Sequence, residues 1–124
     1  GGDVTQIGTQ TLTNKTLEAV VLTNGFTEEI YTLTGTTPIL NPANGSIQTW
    51  TLTANSTPTD GLSSGQSIIL GIDDGSAYTV TWPSVTWTKS GGSGTAPTLN
   101  ATVKTWVVIW KVGSTLYGSY LGDA

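Results

Sequence analysis

The sequence predicts an all-β protein: an antiparallel β-sandwich of the jelly-roll kind that follows an extended N-terminal segment. Helix signals are nearly absent, since only the stretch Leu17–Val21 could begin a helix. Elsewhere β-branched and aromatic residues alternate with polar ones, and Gly-rich turns follow at short intervals. Short alternating strands between such turns are typical of sandwiches and jelly rolls.

The predicted strands are the runs in which apolar side chains recur at every second position. They are Glu29–Thr34, Ile47–Thr53, Gln66–Ile72, Tyr78–Trp82, Val103–Lys111 and Thr115–Leu121. Asp73-Asp74-Gly75 lies between the third and fourth of these runs. Because Gly accepts the positive φ of a tight turn, an Asp-Gly pair between alternating runs predicts that the two runs form a β-hairpin.

The last two predicted strands are apolar on both faces. In Val103–Lys111 the first face carries Val103, Thr105, Val107 and Ile109, and the second carries Trp106, Val108 and Trp110. Thr115–Leu121 places Leu116 and Tyr120 opposite Tyr117 and Leu121. A strand with one solvent-exposed face would not have apolar residues on both sides. Either the chain itself covers both faces, or identical subunits cover the second; we favour subunits, and predict an interface of Trp106, Val108, Trp110, Tyr117 and Leu121.

The composition excludes several classes of function for this chain of 124 residues, which is long enough for one ordinary core. Neither Cys nor His occurs, so thiolate chemistry and a Ser-His-Asp triad are impossible. Arg is also absent, and a chain with four Lys and a formal charge of −4 should repel nucleic acid and anionic membranes. No segment approaches the roughly 20 apolar residues of a membrane span. We therefore expect no nucleic-acid partner and no membrane insertion.

The acidic residues give no sign of an active site or a metal site. Glycoside cleavage needs two carboxyl groups about 5–10 Å apart, and no acidic pair is marked out by its surroundings. The candidates are Glu28, Glu29, Asp60, Asp73, Asp74 and Asp123. Asp73-Asp74-Gly75 could contribute to a calcium site, but no series of ligands follows at binding-loop spacing, which favours a turn. We predict a protein that is not an enzyme and that holds neither cofactor nor metal.

A domain boundary is predicted near Asn24-Gly25. The segment 1–24 is Thr-rich with sparse apolar residues, and it cannot bury enough surface by itself to offset its ordering entropy. We expect it to be a shaft or arm that is disordered, docked on the main domain or wound with identical copies, and we expect residues 25–124 to form the β-domain. The chain opens with Gly1-Gly2, and we expect the natural protein to extend further upstream.

Two tryptophans lie five residues apart around a predicted loop. Trp82 shares a strand face with Tyr78 and Val80, which favours packing. Trp87 precedes a loop that contains Gly91, Gly92 and Gly94, and it could instead stack on a sugar ring from an exposed position. We therefore name Trp87 and Lys89 as candidate contacts to a receptor or glycan.

Two stretches carry a resemblance to a known family. Thr11-Leu12-Thr13-Asn14-Lys15-Thr16-Leu17 resembles a motif of phage tail-fibre shafts, where it precedes a C-terminal knob. Residues 46–122 are similar to a C-terminal domain of phage tail-fibre and virion-surface proteins. The matching pieces are Gly65-Gln66-Ser67, Thr79-Val80-Thr81-Trp82-Pro83, Trp87, Ala96-Pro97-Thr98-Leu99, Trp106, Trp110 and Leu116-Tyr117-Gly118. Proteins of this family are usually trimeric and carry no catalytic residues, so the resemblance implies a non-enzymatic homotrimer.

Taken together, these patterns lead us to expect a structural protein of the virion, the C-terminal knob of a phage tail fibre, located on the tail or capsid surface. Its partners would be other virion proteins, and a glycan or protein of the host surface could be bound by its loops. Two alternatives stay open. A carbohydrate-binding module of an enzyme would show coplanar aromatic rings on one exposed face, and a capsid decoration protein would attach through its N-terminal arm.

Overall fold

The computed structural model describes residues 7–124, and β-strands dominate that part of the chain. The strands are β1 (Ile30–Leu33), β2 (Ile39–Leu40), β3 (Ile47–Thr51), β4 (Thr59–Asp60), β5 (Ser67–Asp73), β6 (Val85–Lys89), β7 (Gly92–Ser93), β8 (Thr105–Val112) and β9 (Thr115–Asp123). A single turn of 3-10 helix, Pro42–Asn44, precedes β3. The predicted all-β class is confirmed.

The main sheet is mixed and has seven strands in the order β1-β3-β5-β8-β9-β6-β7. β1, β3 and β5 run parallel, β8 is antiparallel to both β5 and β9, and β6 is parallel to β9. β2 and β4 form a separate two-stranded parallel sheet. The expectation of antiparallel pairing is therefore wrong for these parallel pairs, and the predicted sandwich or jelly roll is not confirmed.

The parallel pairs follow from the length of two connections. Parallel neighbours need a crossover of about a dozen residues or more, whereas a hairpin needs only a short turn. Residues 34–46 join β1 to β3, and residues 52–66 join β3 to β5, so each connection is long enough to return to the same end of the sheet. These crossovers contain the small β2-β4 sheet and the turn at Pro42–Asn44.

The hairpin predicted at Asp73-Asp74-Gly75 is wrong, although a turn does lie there. Asp74 has a φ of 62°, and the Ala77 backbone N–H donates a hydrogen bond to the Asp74 carbonyl. The run Tyr78–Trp82 does not continue into a strand, and Val80 forms only an isolated parallel bridge with Ser56. Both edges of β5 are already occupied by β3 and β8, so the following run has no edge to pair with.

The hydrophobic core lies on one face of the main sheet. Ile68, Leu70 and Ile72 of β5 are buried there, next to Val107 and Ile109 of β8. The connections supply the rest of the core: Leu40, Leu52 and Leu62 are buried in it, and Tyr78, Val80, Trp82 and Leu99 pack against it. The second layer of the protein is thus built mainly from crossovers and loops.

The buried Gln48 ties the first crossover to the sheet. Its side-chain amide donates hydrogen bonds to the carbonyls of Asn41 (2.8 Å) and Gly45 (2.9 Å). The Asn41 side chain in turn accepts a hydrogen bond from the Ala43 backbone N–H, which caps the 3-10 turn. Carbonyls buried beside the core need such partners, because an unpaired buried polar group costs about 1–3 kcal/mol.

A partly buried ion pair joins β8 to β4. The Lys111 ammonium lies 2.5 Å from an Asp60 carboxylate oxygen and donates a second hydrogen bond to the Leu62 carbonyl. Replacing Lys111 with Met should lower the free energy of unfolding by about 1–3 kcal/mol, because both acceptors would lose a charged donor in a half-buried place. Urea unfolding at a fixed chain concentration measures this loss.

Lys104 supplies the matched control for this prediction. Its ammonium lies 3.7 Å from an Asp73 carboxylate oxygen, and both side chains are more exposed than those of the Lys111 pair. Exposed ion pairs contribute about 0–1 kcal/mol, so Lys104→Met should change the unfolding free energy by less than about 0.5 kcal/mol. Equal losses in the two variants would contradict the structural role given to Lys111.

The described part of the predicted N-terminal segment is exposed along its whole length. Every residue from Ile7 to Thr32 has an exposed side chain, and the first strand begins at Ile30. Several of these exposed residues are apolar: Ile7, Leu12, Leu17, Val20, Val21, Leu22 and Phe26. The first six residues of the predicted segment 1–24 lie outside the described part of the chain. The boundary at residue 24 stays a prediction.

Candidate functional site: the open face of the sheet

The face of the main sheet opposite the core has apolar side chains that the chain covers only in part. Cross-strand register places Ile30, Ile47, Ile69 and Val108 in one row across β1, β3, β5 and β8. We call this side the open face. Its apolar members are Ile30, Ile47, Ile69, Trp106, Val108, Trp110 and Tyr117, and its small or polar members include Thr32, Thr49, Gly71 and Ser119.

The exposure of the open face contrasts sharply with that of the core face. Val107 and Ile109 of β8 are fully buried, whereas their neighbours Val108 and Trp110 remain partly exposed. Ile30 is 64% exposed and Ile69 is 37% exposed. The two-sided apolar pattern of β8 therefore has a structural basis: one side fills the core, and the other reaches the surface.

The Trp106 indole lies flat against the sheet because its cross-strand neighbour is glycine. A Cβ atom built on Gly71 would lie only 2.7 Å from two carbons of the indole ring. The indole N–H donates a hydrogen bond of 3.4 Å to the Ala124 carbonyl, which helps to fix the ring. Any larger residue at position 71 would push the indole away from the strand. Gly71 thus allows the Trp106 ring to pack closely against β5 in this part of the open face.

A second aromatic pair lies further along the same face. Trp110 and Tyr117 are direct cross-strand partners, and their rings stack with centroids 5.6 Å apart and planes 18° apart. Aromatic pairs across strands contribute about 0.5–1.5 kcal/mol beyond the area they bury. The stack holds both rings in place on a surface that is still partly exposed.

The open face carries almost no charge. Within the described strands, alternation places one charged residue on this side, Asp73 at the end of β5, and it pairs with Lys104. Lys111 and Lys89 lie on strands of the sheet but alternate toward the other side, as their neighbours Trp110 and Thr88 face the open side. A surface rich in aromatic residues and poor in charge has the composition of the centre of a protein interface.

The structure brings together most of the predicted interface residues. Trp106, Val108, Trp110 and Tyr117 lie on the open face as neighbours in β8 and β9. Leu121 lies at a β-bulge: Trp106 pairs with Gly122 and Val107 pairs with Tyr120, so Leu121 has no residue opposite. Its exposed side chain borders the same depression as Ile69 and Trp106. The role of these residues as an oligomer interface stays a prediction.

Sequence reasoning missed three isoleucines of this site. Ile30, Ile47 and Ile69 extend the apolar row from β8 to the edge of the sheet. Each is an apolar residue on the otherwise polar side of its run. This departure from the polar pattern was the sequence signal for a second apolar surface. Its meaning depends on the register of strands that are distant in sequence, which no local pattern specifies.

The candidate contact at Trp87 is wrong. Its side chain is only 6% exposed and belongs to the core, with the ring edge-on to Trp82 at a centroid distance of 5.2 Å. Gly118 also lies against the indole, since a Cβ there would be 2.7 Å from a ring carbon. No ring face is left for a sugar. Lys89 is exposed at the end of β6 and stays a candidate contact.

A small polar corner lies beside the open face, at the end of β9. The Asp123 carboxylate accepts a hydrogen bond of 3.0 Å from the Asn100 side chain. It also raises the pKa of Tyr120 above the usual value of 10.0, chiefly because a hydrogen bond from the Tyr120 hydroxyl to Asp123 favours the protonated phenol. Desolvation and the repulsion of a phenolate by the Asp123 carboxylate act in the same direction.

Replacing Asp123 with Ala should therefore lower the pKa of Tyr120 toward its ordinary value, because both the hydrogen-bond acceptor and the carboxylate charge are removed. The contact stabilises the folded protein below pH 10.0 and is lost as the pH rises through the raised pKa of Tyr120. A tyrosine-selective ¹³C NMR titration of both proteins measures the shift. An unchanged midpoint in the Asp123→Ala protein would contradict the assigned hydrogen bond.

The described residues contain neither a cluster of metal ligands nor a membrane-spanning helix. Residues 7–124 contain no group of three or more Asp, Glu, His or Cys side chains placed to hold a metal ion. The same residues contain no helix that is long and apolar enough to cross a membrane. Comparisons of the chain with protein-family models, curated protein sequences and solved structures gave no match. The function must therefore be argued from the geometry of the open face.

Proposed function

We propose that the chain is a non-enzymatic structural module that buries its open face against identical copies, forming the homotrimeric C-terminal knob of a phage tail fibre. The observation that carries this proposal is the contiguous, uncharged apolar row of Ile47, Ile69 and Val108, flanked by Trp106 and Trp110. The resemblance of residues 46–122 to virion-surface domains supplies the setting, and the usual trimer of that family supplies the stoichiometry.

Association removes the apolar side chains of this face from water, which lowers the free energy of the protein. Apolar surface taken out of water contributes about 25 cal/mol per Å², and contiguous apolar patches are uncommon on monomers. The aromatic pair Trp110–Tyr117 is already ordered by stacking, so little side-chain freedom is lost when a partner covers it. The near absence of charge means that an uncharged part of another copy can cover the face without leaving an unpaired buried ion.

The site chemistry is consistent with a structural rather than a catalytic role. The open face offers hydroxyls, indoles and aliphatic side chains, and the chain has neither His nor Cys to transfer protons or attack a substrate. In a virion particle, such a knob would contact other virion proteins through its fibre and the host surface through exposed loops, such as the one that follows Lys89.

Sedimentation equilibrium of the full chain tests the proposal directly. We expect a species of three times the 12.8 kDa chain mass at micromolar concentration. A mass of 12.8 kDa that persists at high micromolar concentration would rule out assembly through the open face. Labelling of intact particles with an antibody against the chain then separates a tail knob from a capsid decoration, which are the two places where such a module could lie.

A carbohydrate-binding module is the second candidate, and the aromatic rings of the open face are the reason to keep it. Trp106 lies flat on the sheet, and the Trp110 and Tyr117 rings are within 18° of one another. Rings held in this way can stack on sugars. Calorimetric titration of the chain with oligosaccharides, repeated with Trp106→Ala, decides between the two: binding by a monomer that is lost with Trp106 favours the second candidate.

A further inference from the structure

The N-terminal arm, residues 7–29, is a second apolar surface that its own chain leaves uncovered. Val21 is 86% exposed and Phe26 is 69% exposed, and Leu17 and Leu22 are also exposed. A segment of this kind cannot offset its ordering entropy unless something buries its apolar side chains. The chain therefore presents two apolar surfaces, the arm and the open face, whose residues stay exposed or partly exposed within one subunit.

The stretch of the arm that precedes Glu28 and Glu29 matches the open face in charge and length. The eight residues Val20–Thr27 carry no charge, and the open face is likewise almost free of charge. Eight residues can span up to roughly 26 Å when extended. The five strands β1, β3, β5, β8 and β9, about 4.8 Å apart, span roughly 19 Å. The uncharged stretch is thus long enough to cross the apolar part of one open face.

The position at which the arm joins the sheet places it beside the open face. β1 forms the edge of the main sheet, and Ile30 at its start belongs to the apolar row. The Glu29 backbone is held tightly against Gly45, where an added Cβ would lie 2.5 Å from the Glu29 carbonyl oxygen. This contact fixes the chain as it enters β1, and the arm residues before it are exposed.

We propose that, within the homotrimer, the arm of each copy crosses to the next copy and packs its residues 20–27 on that copy's open face. This inference rests on the proposed function, since it specifies what covers the face. The contact is heterologous, with the arm of one subunit meeting the sheet of another, and such contacts close into rings when the rotation between copies allows it. Each copy then buries both of its uncovered surfaces.

Photo-cross-linking in the full chain tests the inference. The photoreactive amino acid p-benzoylphenylalanine replaces Phe26 in one variant and Val21 in a second. Trimers of each variant are assembled from equal amounts of unlabelled and ¹⁵N-labelled chains and are first confirmed as trimers by sedimentation. After irradiation and digestion, mass spectrometry should find the arm joined to peptides of β5, β8 or β9, with half of the joined pairs containing one light and one heavy partner. The matched control places the same group at Thr57, which is exposed in the layer on the opposite side of the sheet.

The outcomes separate this inference from the proposed function. In a trimer, cross-links that join one arm to another arm, or an arm to the sheet of its own chain, overturn the proposed position of the arm. Such a result does not contradict the proposed trimer. A trimer that yields no cross-link from either position overturns it as well. A wild-type chain that sediments as a monomer overturns the proposed function itself.

Discussion

Replacing Val108 with Glu should abolish assembly while leaving the subunit folded. Val108 lies in the middle of the apolar row, between Ile69 on β5 and Ser119 on β9. In a covered interface the new carboxylate would be buried without a partner, which costs about 3–5 kcal/mol. That penalty weakens association by more than about 100-fold. The isolated subunit is destabilised much less, because the side chain is partly exposed there and its charge can stay in water.

Sedimentation equilibrium over a range of concentrations measures the change in the dissociation constant. Thr57→Glu is the matched control, since it adds the same charge at an exposed position on the layer opposite the open face. Circular dichroism checks that both variants keep the wild-type β-signal. If Val108→Glu sediments like the wild-type chain and the control, the open face is not an interface and its apolar row needs another explanation.

Most long strands of the main sheet were predictable from the sequence because burial leaves a period of two, although β6 was missed. Five of the six predicted runs contain strands, and β8 in particular shows the two-sided pattern that marks it as central. The exception, Tyr78–Trp82, alternates because Tyr78, Val80 and Trp82 pack on the core, as partly buried loop residues can do without belonging to the sheet. Alternation reports which side chains are buried, and pairing is a separate property.

The order and direction of the strands could not be predicted in the same way. A turn such as Asp73-Asp74-Gly75 reports only that the chain changes direction, and here the next residues leave the sheet because β3 and β8 occupy both edges of β5. The parallel pairing of β3 with β5 joins runs separated by a crossover, and a local motif carries no signal for its register.

The candidate site was predictable to the extent that it lies on adjacent strands. Trp106, Trp110 and Tyr117 come together because β8 and β9 form a hairpin, for which spacing along the chain is informative. Trp87 was misplaced because a Gly-rich loop follows it, which suggests exposure, whereas it lies within β6. Instead Gly118 on β9 leaves room for the indole, which the strand therefore buries. That space is made by a residue thirty-one positions away in the chain.

Trp50→Ala should have the largest effect on stability of any single substitution in the core. The Trp50 side chain is 1% exposed and lies on β3, with Leu33 of β1 and Ile72 of β5 as its cross-strand neighbours. Its indole N–H also donates a hydrogen bond of 3.3 Å to the Gly35 carbonyl. Truncating a buried Trp to Ala costs about 3–5 kcal/mol, because apolar burial is lost and a cavity remains. Domains of this size are stable by only about 5–15 kcal/mol.

Trp110→Ala makes the comparison informative, because it removes the same atoms from the open face. Trp110 is partly exposed in the single subunit, so its loss should cost the fold about 1 kcal/mol, mostly through the stack with Tyr117. The two variants should therefore separate folding from assembly. Trp50→Ala should lower the urea midpoint strongly at every chain concentration. Trp110→Ala should lower it mainly at concentrations at which the wild-type chain is assembled, because burial against a partner stabilises only the associated state. Equal and concentration-independent losses would mean that Trp110 acts within its own subunit alone.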